Sequence, residues 1–375
     1  MVKILKKDVE LIELFYDLIF VYAISQLTAL INEPINGIIP LNSFFVYVIT
    51  SFVILQAWLY FTNYVNRYGE WKWFEYIIAC INMIAVIFMT NTIDVQWESM
   101  LLPFNLSMLI MLLTVVMLYS VHAYKQKTLN CAAGNSITIL SIVCSIYVIA
   151  ILAILFGFSH MVIWLDVIAV LCGAFLPFFI RGNFNKNIIN FPHLVERFEL
   201  LTIITFGEAI VGMTHFFDVN NLSLVPILVF FIIITMFGSY VVQIHNLMDH
   251  FREERSLRLM FSHYFIIISI NLMTVALELI HSGEVNHLFD AILIIASLVI
   301  FYISIIVNKE YYSEGIVFTK RDAMSMIIVM VVGSIIVFMG LNNLYLFLIG
   351  ILIITFNVVN LIFDFMFFPG FYVGL

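Results

Sequence analysis

The sequence consists mostly of apolar blocks of roughly 20 residues, separated by short polar segments. A helix needs about 20 apolar residues to cross the hydrocarbon core of a bilayer, so each block predicts one transmembrane helix. Hydrophobic residues make up 63% of the chain and charged residues 11%, whereas about a quarter of the residues in a soluble domain are charged. This composition excludes a soluble globular fold and predicts a protein embedded in the lipid bilayer.

The blocks predict an all-α integral membrane protein with about twelve transmembrane helices, short connections and no soluble domain. The predicted spans are residues 9–31, 42–65, 73–93, 102–123, 135–157, 160–180, 194–217, 222–247, 257–281, 287–307, 322–341 and 344–367.

The positions of the basic residues predict how these helices are oriented. With a cytoplasmic N-terminus and twelve spans, all 16 Lys and Arg residues fall in inside segments, whereas the outer loops carry acids such as Glu33 and Glu284. Cytoplasmic loops are enriched in Lys and Arg, so both termini are expected in the cytoplasm. Trp58 and Trp71, near the inner end of the second predicted helix, suit an interfacial aromatic belt. Because topology accounts for every basic residue, no nucleic-acid partner is expected.

A short motif occurs twice, half a chain length apart. Residues 9–14 and 195–200 both read V-E-x-x-E-L, and both open a predicted helix at the cytoplasmic face. Six spans separate them, and this even number gives both halves the same orientation. We therefore predict a single membrane domain of two parallel six-helix repeats, residues 1–185 and 186–375, an arrangement found in transporters.

Acidic residues within the two opening helices are the main candidates for function. Glu13 and Asp17 share one face of the first helix, and Asp17 lies roughly 12 Å into the span by helical rise. Glu199 and Glu208 lie on the seventh helix, with Glu208 near the midplane and next to Gly207, where a local break is possible. An ionisable group in lipid is costly, so it tends to face a partner, a cavity or water.

Two interpretations of these acids remain open. Glu13 and Glu199 suit inner helix N-termini, where an acid is favourable and can pair with a base such as Arg197. Alternatively, the acids line a pathway for a proton or cation. Asp17 and Glu208 lie too deep to be caps, which favours the pathway for them.

The remaining polar residues are secondary candidates. Asp166 and Glu278 are shallower and are expected to be satisfied by neighbours or interface water. His245 and Asp249, four residues apart, could share a metal, with His263 opening the next helix. So sparse a pattern also suits a solvated cluster, and the metal content stays undetermined. The common enzyme motifs are missing, so no catalytic residue and no cofactor are expected.

The two acidic helix openings resemble a known family. Residues 13–21, ELFYDLIFV, are similar to the opening E-L-F-[FY]-D-L-[VI]-F-V of the bacterial low temperature requirement protein A family, and residues 196–208, ERFELLTIITFGE, are similar to its second block. Glu199 and Tyr16 depart from the residues that are commoner there. The resemblance implies a multi-pass protein of the bacterial cytoplasmic (inner) membrane, named for growth at low temperature, and assigns no molecular activity.

Together these patterns favour a secondary transporter or channel that is not an enzyme. Its partner is expected to be a proton, a cation or another small solute, with Asp17 and Glu208 as the binding carboxylates, and a homo-oligomer is compatible with the sequence. The alternatives are a membrane-embedded enzyme that modifies lipid or envelope, with His245, Asp249 and His263 as its catalytic cluster, and a non-transporting accessory or sensor protein.

Overall fold

The computed structural model of the chain describes residues 7–28, 30–93, 97–125, 131–179, 188–217, 223–252, 256–314 and 316–367. Within these ranges the secondary structure is helical, and no β-strand is present. The α-helices are α1 (Leu11–Thr28), α2 (Leu41–Tyr68), α3 (Trp73–Thr90), α4 (Trp97–Lys125), α5 (Cys131–Leu155), α6 (Val162–Phe179), α7 (Phe191–Met213), α8 (Val225–Tyr240), α9 (Leu257–Ser282), α10 (His287–Val307), α11 (Lys320–Met339) and α12 (Leu344–Phe367).

Ten helices in the described part of the chain are long and apolar enough to cross a membrane. The all-α membrane architecture predicted from the sequence is therefore confirmed. α7 does not belong to these ten: it is 23 residues long, but Glu196, Arg197, Glu199 and Glu208 interrupt its apolar surface. Twelve crossing helices therefore remain a prediction.

The predicted orientation also stays a prediction. Six of the basic residues behind it lie outside the described residues, namely Lys3, Lys6, Lys127, Arg181, Lys186 and Arg255.

Polar caps mark where several helices begin. Asn286 accepts a hydrogen bond from the Leu288 backbone N–H (2.9 Å) at the start of α10. Before α11, the Thr319 side chain accepts from the backbone of Asp322, and the Asp322 carboxylate accepts from the Thr319 backbone. Such reciprocal caps satisfy N–H groups that have no partner within the helix, which sets the first residue of each span.

The chain packs as two compact units. The first comprises Met1–Ile31, Leu41–Arg197 and Glu253–Ser256, and the second comprises Asn32–Pro40, Phe198–Arg252 and Leu257–Leu375. In the first unit α3 packs on α4, α5 on α6 and α2 on α6. In the second unit α9 packs on α10, α11 on α12 and α8 on α12. These pairs correspond if α7–α12 repeat α1–α6, but the repeat and its boundaries at residues 185 and 186 stay a prediction.

Two glycines bring α11 and α12 into backbone contact. A Cβ atom on Gly350 would lie 2.7 Å from the Val337 backbone nitrogen, and one on Gly333 would lie 2.9 Å from the Gly350 carbonyl oxygen. Small residues let membrane helices approach closely and gain van der Waals contact. The close packing of α11 on α12 therefore requires glycine at both positions.

We expect Gly350→Ala to destabilise the protein by about 1–3 kcal/mol, because the added methyl group forces two backbones apart. Thermal unfolding in detergent would measure the loss. Gly238→Ala is the matched control, since no atom lies within 4 Å of the Cβ position at Gly238. Equal stability of the two variants would contradict the close α11–α12 approach.

Candidate ion-binding site

The start of α7 is anchored to α2 by two asparagines. The Asn190 side chain accepts a hydrogen bond from the His193 backbone N–H (3.1 Å) and so caps α7. Asn66 of α2 accepts from the Asn190 backbone N–H (3.1 Å) and donates to the Asn190 carbonyl (2.7 Å). These two hydrogen bonds fix the first turns of α7 beside α2. Arg197 lies in the second turn of α7.

Arg197 is the centre of a buried ion cluster with Glu13 and Asp17. Its Nε donates to Asp17 Oδ2 (2.9 Å), its Nη2 donates to Asp17 Oδ1 (2.5 Å), and its Nη1 donates to Glu13 Oε2. All three residues have 0% of their surface exposed. The planar guanidinium suits such two-point recognition of a carboxylate. The predicted pairing of Glu13 with Arg197 is thus present, and Asp17 shares the same partner.

The cluster lies within the helical spans. Asp17 and Arg197 are each six residues from the first residue of their helix, which is about 9 Å by helical rise. Asp17 is therefore shallower than the roughly 12 Å predicted, because α1 begins at Leu11 and the predicted span begins at residue 9.

Two tryptophans complete the hydrogen bonding of the carboxylates. Trp58 Nε1 donates to Asp17 Oδ1 (2.7 Å), and Trp71 Nε1 donates to Glu13 Oε1 (3.0 Å). The Arg197 guanidinium also lies over the Trp58 ring, with its Cζ atom 5.6 Å from the ring centroid, a favourable cation–π geometry. Trp58 is fully buried, so its assignment to an interfacial belt is wrong, and the polar ring nitrogen is used by the site.

His193 brings a further titratable group to Glu13. Its Nε2 lies 3.1 Å from Glu13 Oε2, and its Nδ1 lies 3.1 Å from Asn66 Nδ2. Because the Asn66 amide can only donate from that nitrogen, Nδ1 accepts and Nε2 carries the hydrogen. His193 Nε2 nevertheless has no hydrogen-bond partner among the described residues, so it approaches Glu13 closely without donating to it, and the ion-paired groups are two carboxylates and one guanidinium.

Lys7 lies at the edge of this cluster, before the first span. Its Nζ donates to the carbonyls of Val65 (2.5 Å) and Gly69 (2.7 Å) at the C-terminal end of α2, where a cation is favourable. Burial lowers the pKa of Lys7, and the nearby Glu13 charge opposes this effect. Lys7 thus adds positive charge near the carboxylates without a direct ion pair to either.

A second polar contact sets the rotation of α1. Tyr16 OH donates to Asn82 Oδ1 of α3 (2.8 Å), and Asn82 Nδ2 donates to Thr114 Oγ1 of α4 (2.7 Å). The Tyr16 ring also stacks on Phe61, with centroids 4.3 Å apart. Since side chains on a helix are spaced by about 100° per residue, fixing Tyr16 also fixes the directions of Glu13 and Asp17.

Three other predicted carboxylates, Glu199, Glu208 and Glu278, belong to the second unit. Glu199 pairs with His245 (Oε1 to Nδ1, 3.0 Å). Glu278 accepts from Asn32 Nδ2 (3.0 Å). Glu208 is half-buried, and α7 continues through Gly207, so the helix break considered at that glycine is absent.

Asp166 has surroundings of a different kind. It is 1% exposed, and within the described residues neither carboxyl oxygen has a hydrogen-bond partner. The described neighbours thus do not supply the hydrogen bonds that the sequence led us to expect from neighbours or interface water.

The histidines predicted as a weak metal cluster have separate partners. His245 binds Glu199, Asp249 Oδ1 accepts from the Phe251 backbone N–H (3.0 Å), and His263 is buried with its Nε2 3.0 Å from Tyr240 OH. Over the described ranges, no group of three or more His, Cys, Asp or Glu residues is arranged to hold a metal ion.

Sequence reasoning identified Glu13, Asp17 and Arg197 but missed the groups that complete the site, Trp58, Trp71, Thr62 and His193. A hydrophobic pattern treats Trp as apolar, so its N–H gives no signal before the helices are packed. His193, four residues before Arg197, was the one detectable signal, since helical spacing places the two on the same face.

One protein family matches almost the whole chain. The family described as bacterial low temperature requirement A protein (LtrA) matches residues 8–362. Searches of curated proteins and of solved structures gave no match. The matched range contains the buried cluster and every other candidate residue.

We expect Arg197→Met to lower the free energy of unfolding by about 3–5 kcal/mol, because two buried carboxylates lose their cation. Denaturation in detergent would measure this. Arg258→Met is the matched control: Arg258 pairs with Glu310 on exposed side chains, and such pairs contribute about 0–1 kcal/mol. Adding Asp17→Asn and Glu13→Gln to Arg197→Met should recover part of the loss. Equal effects of the two arginine substitutions would contradict the central position of Arg197.

Proposed function

This chain belongs to the bacterial low temperature requirement A family, and we propose that it is a secondary transporter or channel for a proton, a cation or a small solute. The proposal includes twelve membrane-crossing helices in two parallel repeats, cytoplasmic termini and a location in the inner membrane. Glu13, Asp17 and Arg197 are its principal ion-binding residues, and Glu199 and Glu208 are the candidates in the second unit.

One observation carries this proposal: within the ion-paired, fully buried part of the cluster two acids face one base. Glu13 and Asp17 together face one guanidinium, with all three side chains shielded from solvent. A purely structural pair needs one carboxylate and one guanidinium. A further acid in a membrane span costs about 2.5–3.5 kcal/mol on insertion scales, and such groups mark ion pathways.

Lys7 at the edge of the cluster donates to backbone carbonyls and forms no ion pair with either acid, so the buried cluster keeps a place for one exchangeable positive charge. A proton on His193, Glu13 or Asp17 would fill that place, as would a bound monovalent cation. His193 is placed for this exchange because its Nε2 lies 3.1 Å from Glu13 Oε2.

Corresponding helix pairs within each unit support the repeat, since α2–α6 and α8–α12 both pack together. The enzyme alternative has weaker support, because His245 pairs with Glu199 and His263 lies against Tyr240. These side chains do not converge on a common atom.

We expect purified protein in lipid vesicles to show proton- or cation-coupled flux that Asp17→Asn and Glu208→Gln abolish, because each substitution removes a proposed binding carboxylate. A pH-sensitive dye inside the vesicles, with Na⁺ or K⁺ gradients imposed in turn, would measure it. Glu310→Gln is the control, as Glu310 forms an exposed pair with Arg258. Unchanged flux in both variants, with folding intact by size-exclusion chromatography, would reject the assigned site.

The proposed orientation has its own test. Alkaline phosphatase fused after residue 284 should be active, because that loop is predicted outside, whereas a fusion after residue 310 should be inactive. A reversed activity pattern would contradict the orientation while leaving the ion cluster unaffected.

A further inference from the structure

The first unit carries a second polar cluster where the end of α2, the start of α3 and the end of α4 meet. Tyr68 of α2 packs on His122 of α4, with ring centroids 4.2 Å apart. The Lys125 ammonium of α4 lies 4.0 Å from the ring centroid of Phe74 in α3. Arg67 precedes Tyr68 in the last turn of α2. We call Arg67, Tyr68, His122 and Lys125 the Arg67 cluster.

Two polar atoms of the Arg67 cluster lack a partner. Tyr68 Oη and His122 Nε2 are shielded from solvent, and neither has a hydrogen-bond partner among the described residues. Both can donate a hydrogen bond, the hydroxyl always and the imidazole nitrogen when it carries the hydrogen. A shielded polar group without a partner is costly, so a ligand with acceptor oxygens would satisfy both atoms.

The charges around these atoms favour an anion over a cation. Arg67 acts electrostatically on the Tyr68 hydroxyl. Lys125 follows His122 by three residues and so lies on the same face of α4. Among the described residues its contact is the Phe74 ring rather than a carboxylate. Two positive side chains thus flank the two donors.

The acids at this end of the helices are already engaged. Glu75 accepts from the backbone N–H groups of Lys72 (2.7 Å) and Glu70 (3.3 Å) at the start of α3. Glu70 also pairs with the Lys72 ammonium on exposed side chains. These three residues are the charged groups that act on the His122 ring. Segments 67–75 and 122–125 together hold three basic and two acidic side chains, which leaves one positive charge over for an anion.

An exposed apolar stripe runs along α3 from this end. Its members, which are 45–75% exposed, are Trp73, Ile77, Ile81, Ile84 and Phe88. Their spacing of three or four residues places them on one face of the helix. Trp73 precedes Phe74, the ring under Lys125, and Tyr124 is also exposed. Exposed Trp and Tyr side chains are typical of the boundary between lipid and water, so the Arg67 cluster and the stripe lie where a lipid could contact both.

We propose that the Arg67 cluster binds the phosphate group of an anionic phospholipid whose acyl chain lies along the α3 stripe. The phosphate oxygens accept from Tyr68 Oη and from His122 Nε2, which carries its hydrogen, and Arg67 and Lys125 balance the charge. Basic pockets between membrane helices bind anionic head groups in this way. The stripe favours a lipid over free phosphate, which would leave this apolar surface unused. The site goes beyond the proposed function, because lipid binding requires no ion movement.

Lipid titration of the full chain in detergent tests the proposal. Delipidated protein is mixed with phosphatidylglycerol or phosphatidylcholine, and native mass spectrometry measures the bound lipid. Wild type should prefer phosphatidylglycerol. Arg67→Gln combined with Lys125→Gln should weaken phosphatidylglycerol binding about 30-fold, since each basic residue near a membrane surface contributes about fivefold.

A matched double variant removes the same charges elsewhere. Arg258 forms an exposed pair with Glu310, and Lys309 lies over the Phe318 ring at 5.8 Å, much as Lys125 lies over Phe74. Arg258→Gln combined with Lys309→Gln should leave the affinity near the wild-type value. Equal binding of the two lipids by wild type, or equal losses in the two double variants, would overturn the proposal.

Tyr68→Phe separates lipid binding from helix packing. The substitution keeps the ring that contacts His122 and removes a hydroxyl with no partner among the described residues, so the Tm of the lipid-free protein should not fall. Phosphatidylglycerol binding should weaken about tenfold, because a hydrogen bond to a charged group is lost. Unchanged binding in this variant would contradict the site. Inorganic phosphate that binds as tightly as the phospholipid would overturn the assignment to a lipid.

Discussion

The bond between the Arg197 guanidinium and two carboxylates is the constraint on which the first unit depends. Charges cannot be left without partners in an apolar environment, so α1 and the start of α7 must pack where Glu13, Asp17 and Arg197 meet. Trp58 and Trp71 supply the remaining donors. The interaction therefore selects both the helix packing and the burial of the aromatic side chains, and any motion that separates these helices exposes an uncompensated charge.

α2 connects the two acidic sites of the first unit through separate faces. Trp58 and Thr62, four residues apart, contact the Arg197 cluster. Gln56 donates to the Val170 carbonyl of α6 (3.1 Å), and Tyr60 lies against Gly173 of the same helix. Because i and i+4 residues share a face, one helix supports the charged cluster on one side and the α6 surface that follows Asp166 on another.

Asp17 and Asp166 show how surroundings decide the chemistry of one residue type. Asp17 accepts hydrogen bonds from Arg197 and Trp58. Asp166 is also buried, but neither of its oxygens has a hydrogen-bond partner among the described residues. Hydrogen bonds to the charged form favour that form, and desolvation disfavours it. The two acids thus differ in their partners within the same unit.

The sequence by itself determined the membrane class, the positions of most helices and the family. These properties follow from block length and composition, and from the two motifs at residues 13–21 and 196–208. It also identified Glu13, Asp17 and Arg197, because charged residues are rare in apolar spans. Only the tertiary structure decided which groups meet: Arg197 binds both acids, Trp58 donates to Asp17, and Asp166 has no hydrogen-bond partner within the part of the chain that is described. Hydrophobic periodicity reports which face of a helix is buried, but partners come from helices far apart in sequence, and their contacts exist only after packing.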